Sequence, residues 1–301
     1  MSDQDVIHRF IFDNTDIRGE ILSLHKTKLE SGENQSTPKA LLPVFGDFLS
    51  GACLLSEVLK FEGILSLQAS GDGPVSMIMA EANNQGHVRG IIKLSEEDAH
   101  KALDEDFFSK ATLPELLGKT SLIITIDPDK GQRYQGIVPI EEPSLAKCLE
   151  HYFYQSEQLP TQVHLFSNEE HCGGLFLQCL PAQLVTDNDE REKHWDTARA
   201  LASTCTEEEL FTLSHQELLL RLFHDMQCRL FEPKALSFKC SCSEARCLNA
   251  LKALGQQEVY KLLAEHDLIQ MDCQFCATPY AFGKENVDAL FNGDTDESVL
   301  H

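Results

Sequence analysis

Short apolar runs of strand length alternate with turn residues over the first part of the chain. Runs of this kind, bounded by Gly, Pro, Asn or Asp, predict β-strands. Two longer stretches, 39–60 and 144–157, place their apolar residues near helical spacing and predict helices. The predicted strands are 7–12, 21–24, 63–69, 75–80, 88–92, 121–126 and 174–180. Together these elements predict a mixed α/β N-terminal domain over residues 1–184.

The pattern changes after this domain, where a charged stretch with few apolar residues begins. Helical spacing then follows at 195–202, 206–213 and 215–228. Thr206 with Glu209, and Ser214 with Glu217, fit the capping box that starts a helix. The segment has apolar faces but little mass, so it needs a neighbour to stay folded. We therefore predict a helical linker over residues 185–235.

Four cysteines near the C-terminus have the spacing of metal ligands: Cys240-x-Cys242 and Cys273-x-x-Cys276, separated by residues 243–272. A Cys-x-x-Cys turn directs two thiolates at one ion, and two predicted helices between the pairs reverse the chain. Four thiolates in a tetrahedron suit Zn²⁺. We predict that Cys240, Cys242, Cys273 and Cys276 bind one zinc ion per chain.

The cysteine unit is assigned to residues 236–285. Ser241 with Glu244 fits a helix start, and Gly255 fits a helix stop. Residues 286–301 are expected to form a flexible tail. The predicted fold class is therefore α+β, with a mixed α/β N-terminal domain, a helical middle linker and a small C-terminal zinc domain with four cysteine ligands.

Two interpretations of the zinc site stay open on the residues alone. A unit of this size has a small core, so a structural zinc ion can supply its folding energy without any redox role. Alternatively the site is a redox switch, because Cys240-x-Cys242 places two thiols close enough to pair with each other. Cys247 adds a further thiol in the adjacent predicted helix.

The formal net charge of −23 restricts the partners. An acidic surface repels phosphate backbones and anionic lipid headgroups, so we expect neither nucleic acid nor a membrane as partner. The N-terminus has no basic region followed by an apolar stretch, and we find no window of about 18 apolar residues. We therefore expect a cytoplasmic protein, whose eleven cysteines are thiols or metal ligands rather than structural disulfides.

Several motifs are specific enough to indicate a family. In the C-terminal unit they are FKCSCSEARC at 238–247 and DCQFC with the following Pro-Tyr-Ala-Phe at 272–282. Upstream they are HRFIF (8–12), RGE (18–20), LKFEG (59–63), QASGDGP (68–74), RYQGIV (133–138) and LAKCLEHYFYQSEQLPT (145–161). With these motifs the sequence resembles, over nearly its whole length, the redox-regulated heat-shock chaperone (holdase) family of about 33 kDa, which is bacterial.

The resemblance implies an ATP-independent chaperone of the stress response. In the reduced state the four thiolates hold zinc and the chaperone is inactive. Oxidation forms the disulfides Cys240–Cys242 and Cys273–Cys276 and releases the zinc. The zinc domain and the linker then unfold and expose surface that binds unfolded or oxidatively damaged client proteins. The resemblance also implies a homodimer as the active form.

Two rival functions are an inert zinc-ribbon interaction module and a thiol–disulfide oxidoreductase that uses Cys273-x-x-Cys276. No thioredoxin-like βαβ pattern surrounds that pair. A P-loop at Gly118-Lys119-Thr120 would need glycine at position 113, which is Leu113. No catalytic triad or carboxylate pair stands out, so we expect that the protein is not an enzyme. The other cysteines are interpreted as buried small hydrophobes: Cys53, Cys148, Cys172, Cys179, Cys205, Cys228 and Cys247.

Overall fold

The computed structural model describes residues 3–33, 35, 37–95 and 105–292. The chain divides after Lys239 into two compact units. The N-terminal unit contains two six-stranded sheets, and the C-terminal unit contains one two-stranded sheet. The predicted mixture of helices and strands is confirmed, and each of the seven predicted strands is present within a few residues of its expected bounds.

The described strands follow in chain order. They are β1 (Val6–Phe12), β2 (Ile17–Leu24), β3 (Gly63–Ser70), β4 (Val75–Asn83), β5 (His87–Leu94), β6 (Ser121–Pro128), β7 (Tyr134–Pro139), β8 (Thr161–Ser167), β9 (Cys172–Cys179), β10 (Cys228–Leu230), β11 (Lys234–Ala235), β12 (Ser237–Phe238), β13 (Ile269–Asp272) and β14 (Pro279–Phe282).

The described α-helices are α1 (Lys26–Gly32), α2 (Leu42–Val58), α3 (Glu105–Lys110), α4 (Leu113–Leu117), α5 (Leu145–Tyr152), α6 (Asn188–Ala202), α7 (Glu207–Thr212), α8 (His215–Leu222), α9 (Glu244–Leu254), α10 (Gln256–Glu265) and α11 (Lys284–Asn292). A 3₁₀ turn, Lys39–Leu41, precedes α2, and a π-helical turn, Phe153–Glu157, follows α5.

Two sheets form the framework of the N-terminal unit. Sheet A has the order β10-β1-β2-β9-β8, with β11 also beside β1, and all its pairings are antiparallel. Sheet B has the order β12-β5-β4-β3-β6-β7. Its strands are antiparallel except for β12, which runs parallel to β5.

Helix α2 packs between the two sheets and forms the centre of the core. It contacts β2, β8 and β9 of sheet A and β3, β4 and β5 of sheet B. Two glycines permit this close packing. A Cβ atom at Gly46 would lie 2.7 Å from Cys172 Cβ, and one at Gly90 would lie 2.9 Å from Leu49 Cδ2. Any larger side chain at these positions would therefore push the helix away from the sheets.

The segment Lys39–Val58 has the length and hydropathy of a membrane-spanning helix, with a mean hydropathy of 1.5. The sequence-based expectation of no membrane-spanning stretch rested on uninterrupted apolar residues, and this segment is interrupted by Asp47 and Glu57. Of the window that qualifies, 72% is buried inside the protein, and the core helix of a globular unit meets the same criterion. This one helix is therefore weak support for a membrane span.

Sheet A is covered on both faces. Neighbouring side chains of a strand point to opposite faces. Phe176 accordingly packs with α2, whereas Leu175 and Leu177 pack with α6, α7 and α8. All eight residues of β9 are buried as a result. The side chains that the three helices bury against this face include Trp195, Ala198, Ala202, Leu210, Leu218, Leu219 and Leu222.

Helices α7 and α8 begin as predicted, with capping boxes at Thr206 and Ser214. The helix predicted over 215–228 ends at Leu222, and the chain at Cys228 enters β10 instead. The prediction was wrong there because β1, more than 200 positions away, determines the strand. The helices belong to the N-terminal compact unit. A separate linker domain over 185–235 stays a prediction.

The C-terminal unit consists of α9, α10, the hairpin β13–β14 and α11. Its small core contains five buried apolar residues: Leu251, Val259, Ile269, Phe282 and Val287. Gly255 ends α9 as predicted, with φ of 96°. Helix α11 occupies the first positions of the predicted tail, and the rest of that tail, 293–301, lies outside the described residues.

Glu20 of β2 is a carboxyl group fully buried in sheet A. Its Oε1 lies 3.4 Å from Nε of Arg9 on β1, and its Oε2 has no hydrogen-bond partner among the described residues. Burial raises the pKa of Glu20 to about 8 and outweighs the opposing effect of the Arg9 and Arg18 guanidinium groups. The protonated form is therefore favoured in the folded protein.

This carboxyl group makes the stability depend on pH. Because the pKa of Glu20 is higher in the folded than in the unfolded chain, its contribution is fully present below about pH 4.5 and is lost as the pH rises through about 8. We expect Glu20→Gln to reduce the decline of the free energy of unfolding across this pH range. Denaturant unfolding followed by the fluorescence of Trp195, the only tryptophan, measures this. The control is Glu192→Gln at an exposed position of α6, and equal pH slopes in wild type and Glu20→Gln would contradict the prediction.

Candidate metal centre

The second cysteine pair lies in the turn of the β13–β14 hairpin. Cys273 directly follows β13, and its backbone N–H donates to the carbonyl of Thr278 over 3.0 Å. The N–H of Ala277 donates to the carbonyl of Cys273 over 2.8 Å, and Ala277 has a left-handed φ of 53°. The turn thereby holds the thiols of Cys273 and Cys276 on one side, as a zinc knuckle requires.

The first cysteine pair lies immediately before α9. Ser243 caps this helix, and its Oγ accepts the backbone N–H of Arg246 over 3.3 Å. The predicted helix start at Ser241 was therefore wrong by two positions. Ser241 instead accepts a hydrogen bond from Nη1 of Arg246 over 2.6 Å. This contact fixes the residue between Cys240 and Cys242.

The structure brings the four predicted ligands together. Sγ of Cys240 lies 3.6 Å from Sγ of Cys273, and Sγ of Cys242 lies 3.4 Å from Sγ of Cys276. All four sulfur atoms lie within 4.8 Å of one another. A tetrahedral zinc ion with Zn–S distances of about 2.3 Å separates its sulfur ligands by ~3.8 Å. The donor set and its spacing thus fit Zn²⁺.

The surroundings of Cys276 favour negative charge on its sulfur atom, whereas burial raises the pKa of the Cys273 thiol. The hydroxyl of Tyr280 donates to Sγ of Cys242, and Thr278 Oγ1 forms a hydrogen bond with Sγ of Cys276, both over 3.1 Å. Burial raises the pKa of the Cys276 thiol, but hydrogen bonds from Thr278 and from the thiols of Cys242 and Cys240 outweigh burial and lower this pKa to about 6. Cys276 is therefore largely a thiolate at neutral pH, the form that metals bind and oxidants attack.

The closest sulfur–sulfur contacts are between the two cysteine pairs and not within them. Each short contact joins one cysteine of the first pair to one of the second. Such an arrangement is expected when four ligands surround one point. None of the eleven cysteines, all of which lie within the described residues, forms a disulfide. The disulfide pairs Cys240–Cys242 and Cys273–Cys276 stay a prediction.

Five of the other cysteines are buried, as the sequence predicts: Cys53, Cys148, Cys172, Cys179 and Cys205. Burial raises the pKa of the Cys148 and Cys172 thiols to about 11 and that of Cys205 to about 12. Thiols with so high a pKa are unreactive at neutral pH. Cys228 and Cys247 are partly exposed, and the pKa of each is also raised, first by burial.

A second cluster of possible ligands lies in the N-terminal unit and was not predicted. It consists of Asp3, His8 and His215, whose ligand atoms lie within 4.8 Å of one another. His8 and His215 are 207 positions apart in the chain. No local spacing signals such a contact, although His8 lies in the HRFIF motif and His215 directly follows the helix cap Ser214.

Removal of one ligand tests the cysteine site. We expect Cys273→Ser to lower the zinc content of the purified chain by about one ion per molecule, because a serine hydroxyl does not replace a thiolate at neutral pH. The C-terminal unit should then be cut faster by proteases even in reductant, since its apolar core is small. Cys247→Ser in α9 is the matched control and should keep its zinc. Unchanged zinc content and protease resistance in Cys273→Ser would count against the assignment.

Known proteins match almost the entire chain. The profile of the Hsp33 protein family matches residues 5–283. A 33 kDa chaperonin of Shewanella frigidimarina is 42% identical over 289 residues, which cover 96% of this chain and 96% of that protein. One of Shewanella denitrificans is 41% identical over 295 residues, 98% of each chain.

The crystal structure of a 33 kDa chaperonin from Thermotoga maritima is similar in fold. The TM-score is 0.76 at 20% sequence identity, and the match covers 97% of this chain and 100% of that one. The long alignments at about 40% identity and the profile match agree with each other. The chain belongs to the Hsp33 family.

Proposed function

We propose that this protein is a redox-regulated, ATP-independent chaperone that holds unfolding client proteins and is switched by its four-cysteine site. Its membership of the Hsp33 family and its relatives named 33 kDa chaperonin support a chaperone function. The observation that carries the redox mechanism is the convergence of four thiols in a unit with a small apolar core.

In the reduced state Cys240, Cys242, Cys273 and Cys276 hold one Zn²⁺ ion. When bound, the ion keeps the sulfur atoms as thiolates and links the two cysteine pairs. The hydroxyl of Tyr280 and the side chain of Thr278 stabilise the negative charge on Cys242 and Cys276. The hairpin and α9 then stay in contact through their ligands, and the unit keeps its fold.

Oxidation removes the ligands. Two equivalents of peroxide form the disulfides Cys240–Cys242 and Cys273–Cys276. In each pair, two thiolates lose two electrons to one peroxide, which takes up two protons and leaves as two water molecules. A disulfide sulfur carries no negative charge for a metal, so metal affinity and the folding energy that depends on it are lost together.

The apolar face of sheet A beneath α6–α8 is the proposed client-binding surface. Phe10, Phe12, Ile21, Leu175 and Leu177 are all buried there. The chain passes from β12 through Lys239 directly to Cys240, so unfolding of the cysteine unit reaches the end of the linker first. Loss of the linker helices would expose a continuous patch that binds the apolar segments of unfolding proteins.

The remaining parts of the proposal follow from charge and from the family. The net charge of −23 keeps a protein with an exposed apolar patch in solution. We propose that the active form is a homodimer, that the protein acts in the cytoplasm, and that it has no enzymatic activity.

Oxidation with mild heat tests the mechanism. We expect peroxide at a moderately raised temperature to release one zinc per chain and to suppress the aggregation of a thermally unfolding client protein. Reductant with zinc should reverse both. Zinc release is followed with a chromogenic chelator, free thiols are counted, and aggregation is measured by light scattering. Cys247→Ser serves as the control that keeps the four ligands and should respond like the wild type.

Three results would contradict this mechanism in different ways. Zinc release without any gain in suppression would leave an inert structural zinc module. Catalytic reduction of insulin by the reduced protein would favour a thiol–disulfide oxidoreductase. Equal suppression before and after oxidation would indicate a chaperone without a redox switch.

A further inference from the structure

We propose that Asp3, His8 and His215 form a second site for a divalent transition metal, which binds the linker helix α8 to sheet A without any sulfur ligand. Nδ1 of His8 on β1 lies 2.8 Å from Nδ1 of His215 at the start of α8. Oδ2 of Asp3, in the segment before β1, lies 4.0 Å from the same nitrogen of His215. Three separate parts of the chain thus direct potential ligand atoms at one point.

Both imidazole rings are buried, His215 completely and His8 to 6% exposure. Zinc binds histidine nitrogen at about 2.0–2.1 Å, so two ligand atoms on one ion lie at most ~4.2 Å apart. The distance of 4.0 Å between Asp3 and His215 lies within this limit, and the two imidazole nitrogens, 2.8 Å apart as a hydrogen-bonded pair, would separate to ~3.3 Å around a tetrahedral ion. Imidazole and carboxylate ligands suit Zn²⁺, Cu²⁺ and Ni²⁺, and three protein ligands leave one position for water.

The contacts around His215 orient it as a ligand. The hydroxyl oxygen of Ser23 on β2 lies 2.8 Å from Nε2 of His215 and 3.4 Å from the carbonyl oxygen of Leu210. When the ring proton is on Nε2 and is donated to Ser23, the lone pair of Nδ1 faces His8 and Asp3. A hydrogen bond from the non-ligating nitrogen of a histidine is the usual support of a metal ligand.

The carboxylate has a fixed position as well. Oδ2 of Asp3 accepts the backbone N–H of His215 over 2.7 Å. Without an ion, a single proton joins His8 and His215, and the carboxylate of Asp3, whose side chain is 34% exposed, accepts only the backbone N–H of His215 among the described residues. A divalent cation in place of that proton satisfies all three ligand atoms. His8 then carries its ring proton on Nε2, so binding needs no oxidant and no change of redox state.

The site would hold helix α8 of the linker against sheet A independently of the cysteines. Its ligands join α8 to β1 and to the segment before it, across the contact that covers the apolar face of sheet A. Peroxide does not oxidise imidazole or carboxylate under the conditions that oxidise thiolates. Combined with the proposed function, the site means that oxidation of the thiols frees only one end of the linker, and that full release requires loss of a second metal ion.

The proposal is tested by measuring zinc binding to a full-length, tag-free chain that lacks the thiol site. This measurement needs no chaperone assay. In a variant with Cys240, Cys242, Cys273 and Cys276 all changed to serine, we expect about one Zn²⁺ per chain by calorimetry and elemental analysis after treatment with EDTA. Addition of His215→Asn should weaken this binding at least about tenfold. The matched control, His224→Asn, changes an exposed histidine just beyond α8 and should leave the affinity unchanged.

A thermal readout reports on the linker itself. Trp195 on α6 is buried in the same apolar cluster as α8, so its fluorescence follows the docking of the helices. Zinc should raise the melting temperature of the four-serine variant and should have no effect once His215→Asn is added. If His215→Asn does not fold, Asp3→Asn replaces it, because an amide oxygen can still accept the backbone N–H of His215 while the negative charge is lost.

Two outcomes would overturn the proposal. The four-serine variant binds no zinc above background, and the reduced wild-type chain loaded with zinc holds no more than one ion per molecule, so that His8 and His215 share only a hydrogen bond. Alternatively, it binds zinc with an affinity that neither His215→Asn nor Asp3→Asn reduces, so that the zinc lies on the surface elsewhere. Neither outcome bears on the redox function of the cysteines, whose tests use the intact thiol site.

Discussion

The convergence of four sulfur atoms is the constraint on which the C-terminal unit depends. Within the described part of the unit, its helices and its hairpin share five buried apolar residues, too few to stabilise a unit of this size securely. The ligands lie at the two places where the chain is best fixed locally, the capped start of α9 and the tight turn between β13 and β14. A chemical change at sulfur therefore acts directly on whether the unit is folded.

A second constraint acts on sheet A, both of whose faces are apolar. One face packs against α2, whose Gly46 allows the helix to approach Cys172 of β9 closely. The other packs against α6, α7 and α8, a segment rich in charge but with a continuous apolar side. The first contact is part of the deepest core. The second involves helices that contribute little core of their own, so it is the contact that breaks in the proposed function while the rest stays folded.

Helix starts and the cysteine site could be predicted from the sequence because short motifs determine them. The capping boxes at Thr206 and Ser214 and the cysteine spacing are short-range signals, and the structure contains all of them. Two of the misses have a long-range cause. The predicted helix beyond Leu222 gave way to β10 because β1 lies beside it, and the contact between His8 and His215 joins positions with no relation in the sequence. Tertiary contacts determine both features, and the spacing of apolar residues along the sequence carries no information about such contacts.

The way in which the linker is joined to sheet A has a kinetic consequence. Helices α6–α8 lie between β9 and β10, and both strands belong to the same sheet. The helices are thus a loop anchored at each end, and closing a loop costs free energy that grows only with the logarithm of its length. After detachment, their return to the sheet is a first-order process at high effective concentration. In the proposed function, a bound client protein competes with this recapture, so the lifetime of the bound client, and not the protein concentration, sets how long the surface stays open.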